Sequence, residues 1–140
     1  MMTKLIFFDT FENSKKGIIR GLIAFISLIV FDIIWFSLSS KYTKVYNSVK
    51  DNNILSKRNI IPIFLVYLIM CSAIAVQLPS SFKEALVYGL LVGFVIYSVF
   101  NLTSYVLFPN WKLKTGIIDT IAGTINCGIA SSMIYLFCHK

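Results

Sequence analysis

The chain has 140 residues, of which 57% are hydrophobic and only 14% charged, with a mean hydropathy of +0.79. That balance excludes a soluble globular domain, which needs far more polar surface, and predicts an integral membrane protein. The net charge of +7 comes mostly from lysines at the ends of apolar runs, where cations snorkel toward anionic headgroups, so it points to lipid rather than nucleic acid.

An N-terminal strip with Leu5, Ile6, Phe7, Phe8 and Phe11 is too short to span and reads as interfacial. The first span is Ile18–Ser39, preceded by Lys15 and Lys16. At about 1.5 Å per residue it crosses a hydrocarbon core of about 30 Å with some tilt. It exceeds a signal-peptide h-region and carries Asp32 in its body, so it is expected to stay in the mature chain. The polar stretch Ser40–Asn59 follows, with Tyr42 and Tyr46 expected at the interface.

The second span, Ile60–Leu78, has Lys57 and Arg58 before it, Pro79 after it and Pro62 in its expected first turn. The third, about Ala85–Phe108, stops at Pro109 and is followed by Trp111, an interfacial aromatic. Gly89, Gly93, Tyr97 and Asn101 recur every four residues along it, so small and polar side chains share one face. The Gly89/Gly93 pair allows close approach of another helix. The fourth span, Thr115–Phe137, puts Asp119, Gly123 and Asn126 on one stripe that is expected to face the bundle. The reading is an all-α membrane protein, one four-span domain over residues 1–140.

Four spans put both termini on side A and the Ser40–Asn59 and Pro109–Lys114 loops on side B. Side A then carries six lysines and arginines and side B seven, so charge bias does not set the orientation. Lysine, isoleucine and asparagine usage fits an A/T-rich coding genome, which leaves a host or virion membrane open.

Asp32 and Asp119 are the only carboxylates inside the spans, and an ionisable group in hydrocarbon is expected to be paired, turned to the bundle interior or part of a pathway. Counting helix rise from the span ends puts them roughly 10 Å and 6 Å below side B, and Tyr67 and Asn101 near the same depth, with Trp35 one turn from Asp32. The candidate intramembrane polar site is therefore Asp32, Trp35, Tyr67, Tyr97, Asn101, Asp119 and Asn126, with Gly89, Gly93 and Gly123 as packing positions. Such a layer either cross-links helices or receives a ligand or proton.

Cys71, Cys127 and Cys138 have no paired spacing, His139 is the only histidine, and no catalytic triad, phosphate loop or zinc motif is present. Asn101-Leu102-Thr103 is formally a glycosylation acceptor, but it lies within a span and is expected to be unused. No cofactor or metal is implied, and the inventory leans away from an enzyme. The leading expectation is a non-enzymatic structural or interaction component of a membrane. The alternatives are a small-solute or proton-coupled carrier using the two aspartates, and a lipid-modifying enzyme. Expected partners are the lipid bilayer, with anionic headgroups at the basic loops, and a second copy or another membrane protein.

Phe31-Asp32-Ile33-Ile34-Trp35, Tyr97-Ser98-Val99-Phe100-Asn101-Leu102-Thr103-Ser104, Trp111-Lys112-Leu113-Lys114 and Asp119-Thr120-Ile121-Ala122-Gly123 occur in that order. Together they resemble the pattern of a family of small four-helix membrane proteins catalogued as domain of unknown function 2177. Asp32 and Trp35 match its D-x-x-W, and Trp111, Leu113 and Lys114 match its W-x-L-K, with Asp119 as the following acid. The resemblance implies a fold and no activity. Two positions depart from it: Asn101 stands where the family often has an aspartate, and Ala122 where it often has a tryptophan.

Overall fold

A computed structural model describes residues 14–39, 57–77 and 79–138. It contains the helices α1 (Ser14–Leu38), α2 (Lys57–Ala75), α3 (Phe82–Leu107) and α4 (Leu113–Cys138), with no strand among the described residues. The N-terminal strip, residues 40–56 with Tyr42 and Tyr46, and His139 lie outside the described residues.

The molecule is apolar on the outside. Ile18, Leu22, Ile26, Val30 and Ile33 of α1, and Leu91, Val95, Val99 and Leu102 of α3, are exposed, whereas the buried positions of α3 are Ala85, Gly89, Gly93, Asn101 and Ser104. Lipid is as apolar as leucine, so membrane helices associate through small and polar residues that allow close packing and hydrogen bonds. Hydroxyls inside the helices are satisfied locally: Ser72, Thr124 and Ser132 each donate to the carbonyl four residues earlier, at 2.7, 2.7 and 2.8 Å.

Three helical stretches are long and apolar enough to cross a membrane: Lys16–Leu38, Phe82–Leu107 and Leu113–Cys138. The apolar part of α2, Ile60–Ala75, is shorter. This corrects the expected second span, because the helix stops at Ala75 instead of Leu78. It also starts earlier, at Lys57, so Pro62 lies inside the helix rather than in its first turn and removes the N–H that would bond the carbonyl of Arg58. The early end of α2 leaves carbonyls that need donors within the bundle. Arg20 of α1, only 4% exposed, reaches the Ala75 carbonyl from Nη1 at 3.5 Å, and Tyr88 of α3 donates to the Ala73 carbonyl at 2.7 Å. Arg20, counted in sequence among the surface charges of side A, is a buried helix cap.

The remaining contacts fix an up-and-down arrangement. Arg20 near the start of α1 meets the end of α2, and Asp32 near the end of α1 meets Tyr67 and Asn126, so α1 is antiparallel to both α2 and α4. The α3–α4 hairpin turns over residues 108–112, where Phe108 N–H caps the Ser104 carbonyl at 2.9 Å and Trp111 N–H bonds the Phe108 carbonyl at 2.9 Å. Helix α4 is the axis: 50% of its most apolar window is buried, against 11% for α1. It contacts all three other helices, whereas α1 and α3 flank it with their Cα atoms more than 8 Å apart throughout the described residues. Ala24, Leu28, Met70, Cys71, Ile74, Cys127, Ala130 and Ile134 form one apolar core where α1, α2 and α4 meet.

Helix α3 opens with a capping arrangement. Ser81, in extended backbone with φ −145° and ψ 157°, accepts from Glu84 N–H at 3.2 Å, and the Glu84 carboxylate accepts from Ser80 N–H at 2.9 Å and from the Ser80 hydroxyl at 2.6 Å. Ser81→Ala is expected to cost about 1 kcal/mol, read as faster amide exchange confined to the first turn of α3. Unchanged protection there would mean that the cap contributes nothing.

Candidate ligand-binding cleft

Because α1 and α3 stand apart on either side of α4, a groove remains between them toward the 108–112 turn. It is a cleft of about 260 Å³ lined by Phe31, Asp32, Trp35 and Phe36 of α1, Tyr97 and Phe100 of α3, Trp111 of the turn, and Asp119, Ala122 and Gly123 of α4. Two small residues make its floor. A Cβ on Gly123 would fall 2.3 Å from Tyr97 ring carbons, so that glycine is what lets the Tyr97 ring lie against α4. Phe100 and Trp111 pack edge to face, with centroids 5.9 Å apart and planes at 83°, which holds the turn indole against the end of α3.

Each carboxyl is held by an amide. Asn126, with no exposed surface, donates from Nδ2 to Asp32 Oδ1 at 2.9 Å and also approaches the Leu28 carbonyl at 3.4 Å. Tyr67 donates its hydroxyl to Asp32 Oδ2, and its ring meets Phe25 edge to face at 5.9 Å. Asp32 thus joins α1, α2 and α4. The second set lies within the hairpin: Asn101 Nδ2 is 2.9 Å from Asp119 Oδ2, 2.9 Å from the Tyr97 carbonyl and 3.2 Å from Thr120 Oγ1, and Thr120 donates to the Tyr97 carbonyl at 3.3 Å. Asn101 is 3% exposed and Asp119 8%. An aspartate at position 101 would face Asp119 as a second carboxyl, so the amide turns a like-charge contact into a donor–acceptor pair.

Of the residues expected at this site, Asp32, Trp35, Tyr97 and Asp119 line the cleft. Tyr67, Asn101 and Asn126 stand behind it as donors to the two carboxyls. Gly123 belongs to the cleft floor, while Gly89 and Gly93 press on α4 elsewhere: a Cβ there would lie 2.3 Å from the Cys127 carbonyl oxygen and 2.8 Å from Cys127 Cβ, respectively. The sequence did not mark Phe31, Phe36 and Phe100 as site residues, nor Thr120 of the hairpin network, and it noted Ala122 only as a departure from the family pattern. Helical spacing carried a signal for them, since Phe36 is four residues after Asp32, Phe100 three after Tyr97 and Ala122 three after Asp119. Trp111 was expected at the interface; it is part of the wall, and its indole N–H is buried without a hydrogen-bond partner.

No curated protein and no solved structure matches the chain. The profile of the DUF2177 family, described as predicted membrane protein, matches residues 18–136, which take in most of α1 and α4, all of α2 and α3, and every residue of the cleft. By that match the chain belongs to the DUF2177 family of predicted membrane proteins.

Proposed function

We propose that this protein is a non-enzymatic membrane component whose intramembrane cleft holds a small ligand. The observation that carries the reading is that the two intramembrane carboxyls, from helices α1 and α4, line one open cleft. Aspartates that served only to tie helices together would be expected at closed interhelical contacts. Asn126 and Tyr67 fix Asp32, and Asn101 bonds one oxygen of Asp119, so the cleft is organised before any ligand arrives. Ionisable groups within spans mark binding sites or pathways by default.

Binding is favoured over transport by what lies beyond the cleft. The core of Ala24, Leu28, Met70, Ile74, Cys127, Ala130 and Ile134 fills the contact of α1, α2 and α4 toward side A, and Arg20 lies past it against the end of α2. A carrier would have to open that packing in every cycle.

The test is native mass spectrometry of the protein released from gentle detergent, wild type against the Asp32→Asn, Asp119→Asn double variant. The expected result is a discrete bound mass on the wild type that the variant lacks while its oligomeric state is kept. A ligand-free wild type whose assembly weakens in the variant would overturn the reading and make the aspartates helix cross-links.

A further inference from the structure

Resting on the reading of the cleft as a binding site, we infer that its ligand class is an organic ammonium, the cationic group of a free amine or of an aminolipid head. Among the described residues the lining holds two carboxyls and no lysine or arginine, which disfavours phosphate, sulfate or carboxylate groups. It also holds five aromatic side chains besides Tyr97: Phe31, Trp35, Phe36, Phe100 and Trp111. Aromatic faces attract cations through the ring quadrupole, best for tryptophan and best when water is excluded, and such cages are a recurrent means of holding alkylammonium groups.

Inorganic cations fit less well. Calcium takes six to eight oxygen ligands and magnesium a near-octahedral oxygen shell, whereas this cleft offers two carboxyls among rings, and no cluster of three or more metal-binding side chains exists among the described residues. Size points the same way. The volume of about 260 Å³ lies just under the roughly 300 Å³ at which ordinary small-molecule sites begin, which suits a head group better than a drug-sized solute. Position matters too, because the cleft lies at the 108–112 end of the bundle, where a lipid head enters from the side and a free amine from the water.

The chain supplies its own reporter, since its only two tryptophans, Trp35 and Trp111, both line the cleft. Full-length protein in nanodiscs of phosphatidylglycerol, which carries no ammonium, is titrated with choline chloride and ethanolamine hydrochloride, with sodium chloride as the ionic-strength control. A saturable change in tryptophan emission with at least one amine and none with sodium is expected, and affinity should fall at least tenfold in the Asp32→Asn, Asp119→Asn variant. Trp35→Leu keeps both carboxyls and is read through Trp111; it should weaken binding severalfold. In a parallel arm, phosphatidylcholine or phosphatidylethanolamine is built into the nanodisc. A shift in emission without soluble amine, together with a blunted choline response, identifies the lipid head as the source; a response to soluble amine alone identifies a free amine.

Emission indifferent to both amines and both lipids, or equal affinity in the double variant, overturns the inference. A bound mass without a cationic nitrogen, lost in the same variant, overturns the ammonium class and leaves the cleft as a binding site. A ligand-free wild type overturns both.

Discussion

Gly89→Leu is expected to break the α3–α4 hairpin and to be the most damaging single substitution in the described bundle. A Cβ at position 89 would fall 2.3 Å from the Cys127 carbonyl oxygen, 2.7 Å from Ser131 Cβ and 2.8 Å from Gly128 Cα. Two of those atoms are backbone and cannot turn aside, so even alanine forces the helices apart, and leucine adds three more carbons to the same contact. Separation would cost the packing along the Gly89–Gly93 face and strain the Asn101–Asp119 bond nearer the turn. Overpacking a tight contact costs about 1–3 kcal/mol, occasionally more, and the leucine variant belongs at or above the upper end. Gly21→Ala is the matched control: nothing lies within 4 Å of its added Cβ, and exchanging a helical glycine for alanine gains up to about 1 kcal/mol. Reversible unfolding in mixed micelles should order the proteins Gly21→Ala, wild type, Gly89→Ala, Gly89→Leu from most to least stable. A Gly89→Leu protein as stable as wild type would mean that α3 and α4 do not pack through this face.

The contrast between those glycines shows what the sequence could and could not disclose. The four apolar runs were legible because lipid demands long uninterrupted stretches, and three of the four helices match the expected spans to within about a turn. The end of α2 was not. Nothing local to Ala75 announces that an arginine 55 residues earlier will serve its carbonyl, and Pro79 suggested a later stop. The small and polar face of α3 was legible from a four-residue repeat, but its partner was not, since Gly89 and Gly93 suit a helix of the same chain or of another equally well. The two carboxyls stood out because charge within a span is rare. That they share one cleft depends on α1 and α3 keeping apart, and this tertiary fact has no signature in either helix. The aromatic wall was hidden for a related reason: phenylalanine facing lipid and phenylalanine facing a cleft look alike in an apolar run.

Ala122→Trp is expected to abolish ligand binding while leaving the bundle folded. Ala122 is 5% exposed and forms the cleft floor beside Gly123, so an indole placed there projects into the space between Asp32 and Asp119. The side chain at this position faces a cleft of about 260 Å³, which gives an indole room without moving the backbone of α4. With alanine there, the floor is low and the cleft correspondingly open. An indole inside it would meet Trp35, Tyr97 and Phe100, contacts that offset the usual cost of enlarging a buried residue. Two measurements separate the possible results. Helix content and thermal stability should stay close to wild type, and the bound mass expected in native mass spectrometry should be missing, as is expected when both carboxyls are removed. Loss of the ligand by steric filling, with Asp32, Asp119, Asn101 and Asn126 all intact, places the ligand in the cleft itself, whereas removal of the carboxyls alone leaves a remote effect on the fold as a competing explanation. A folded Ala122→Trp protein that keeps its ligand would put the binding site elsewhere and leave this polar layer as the device that holds the helices in register.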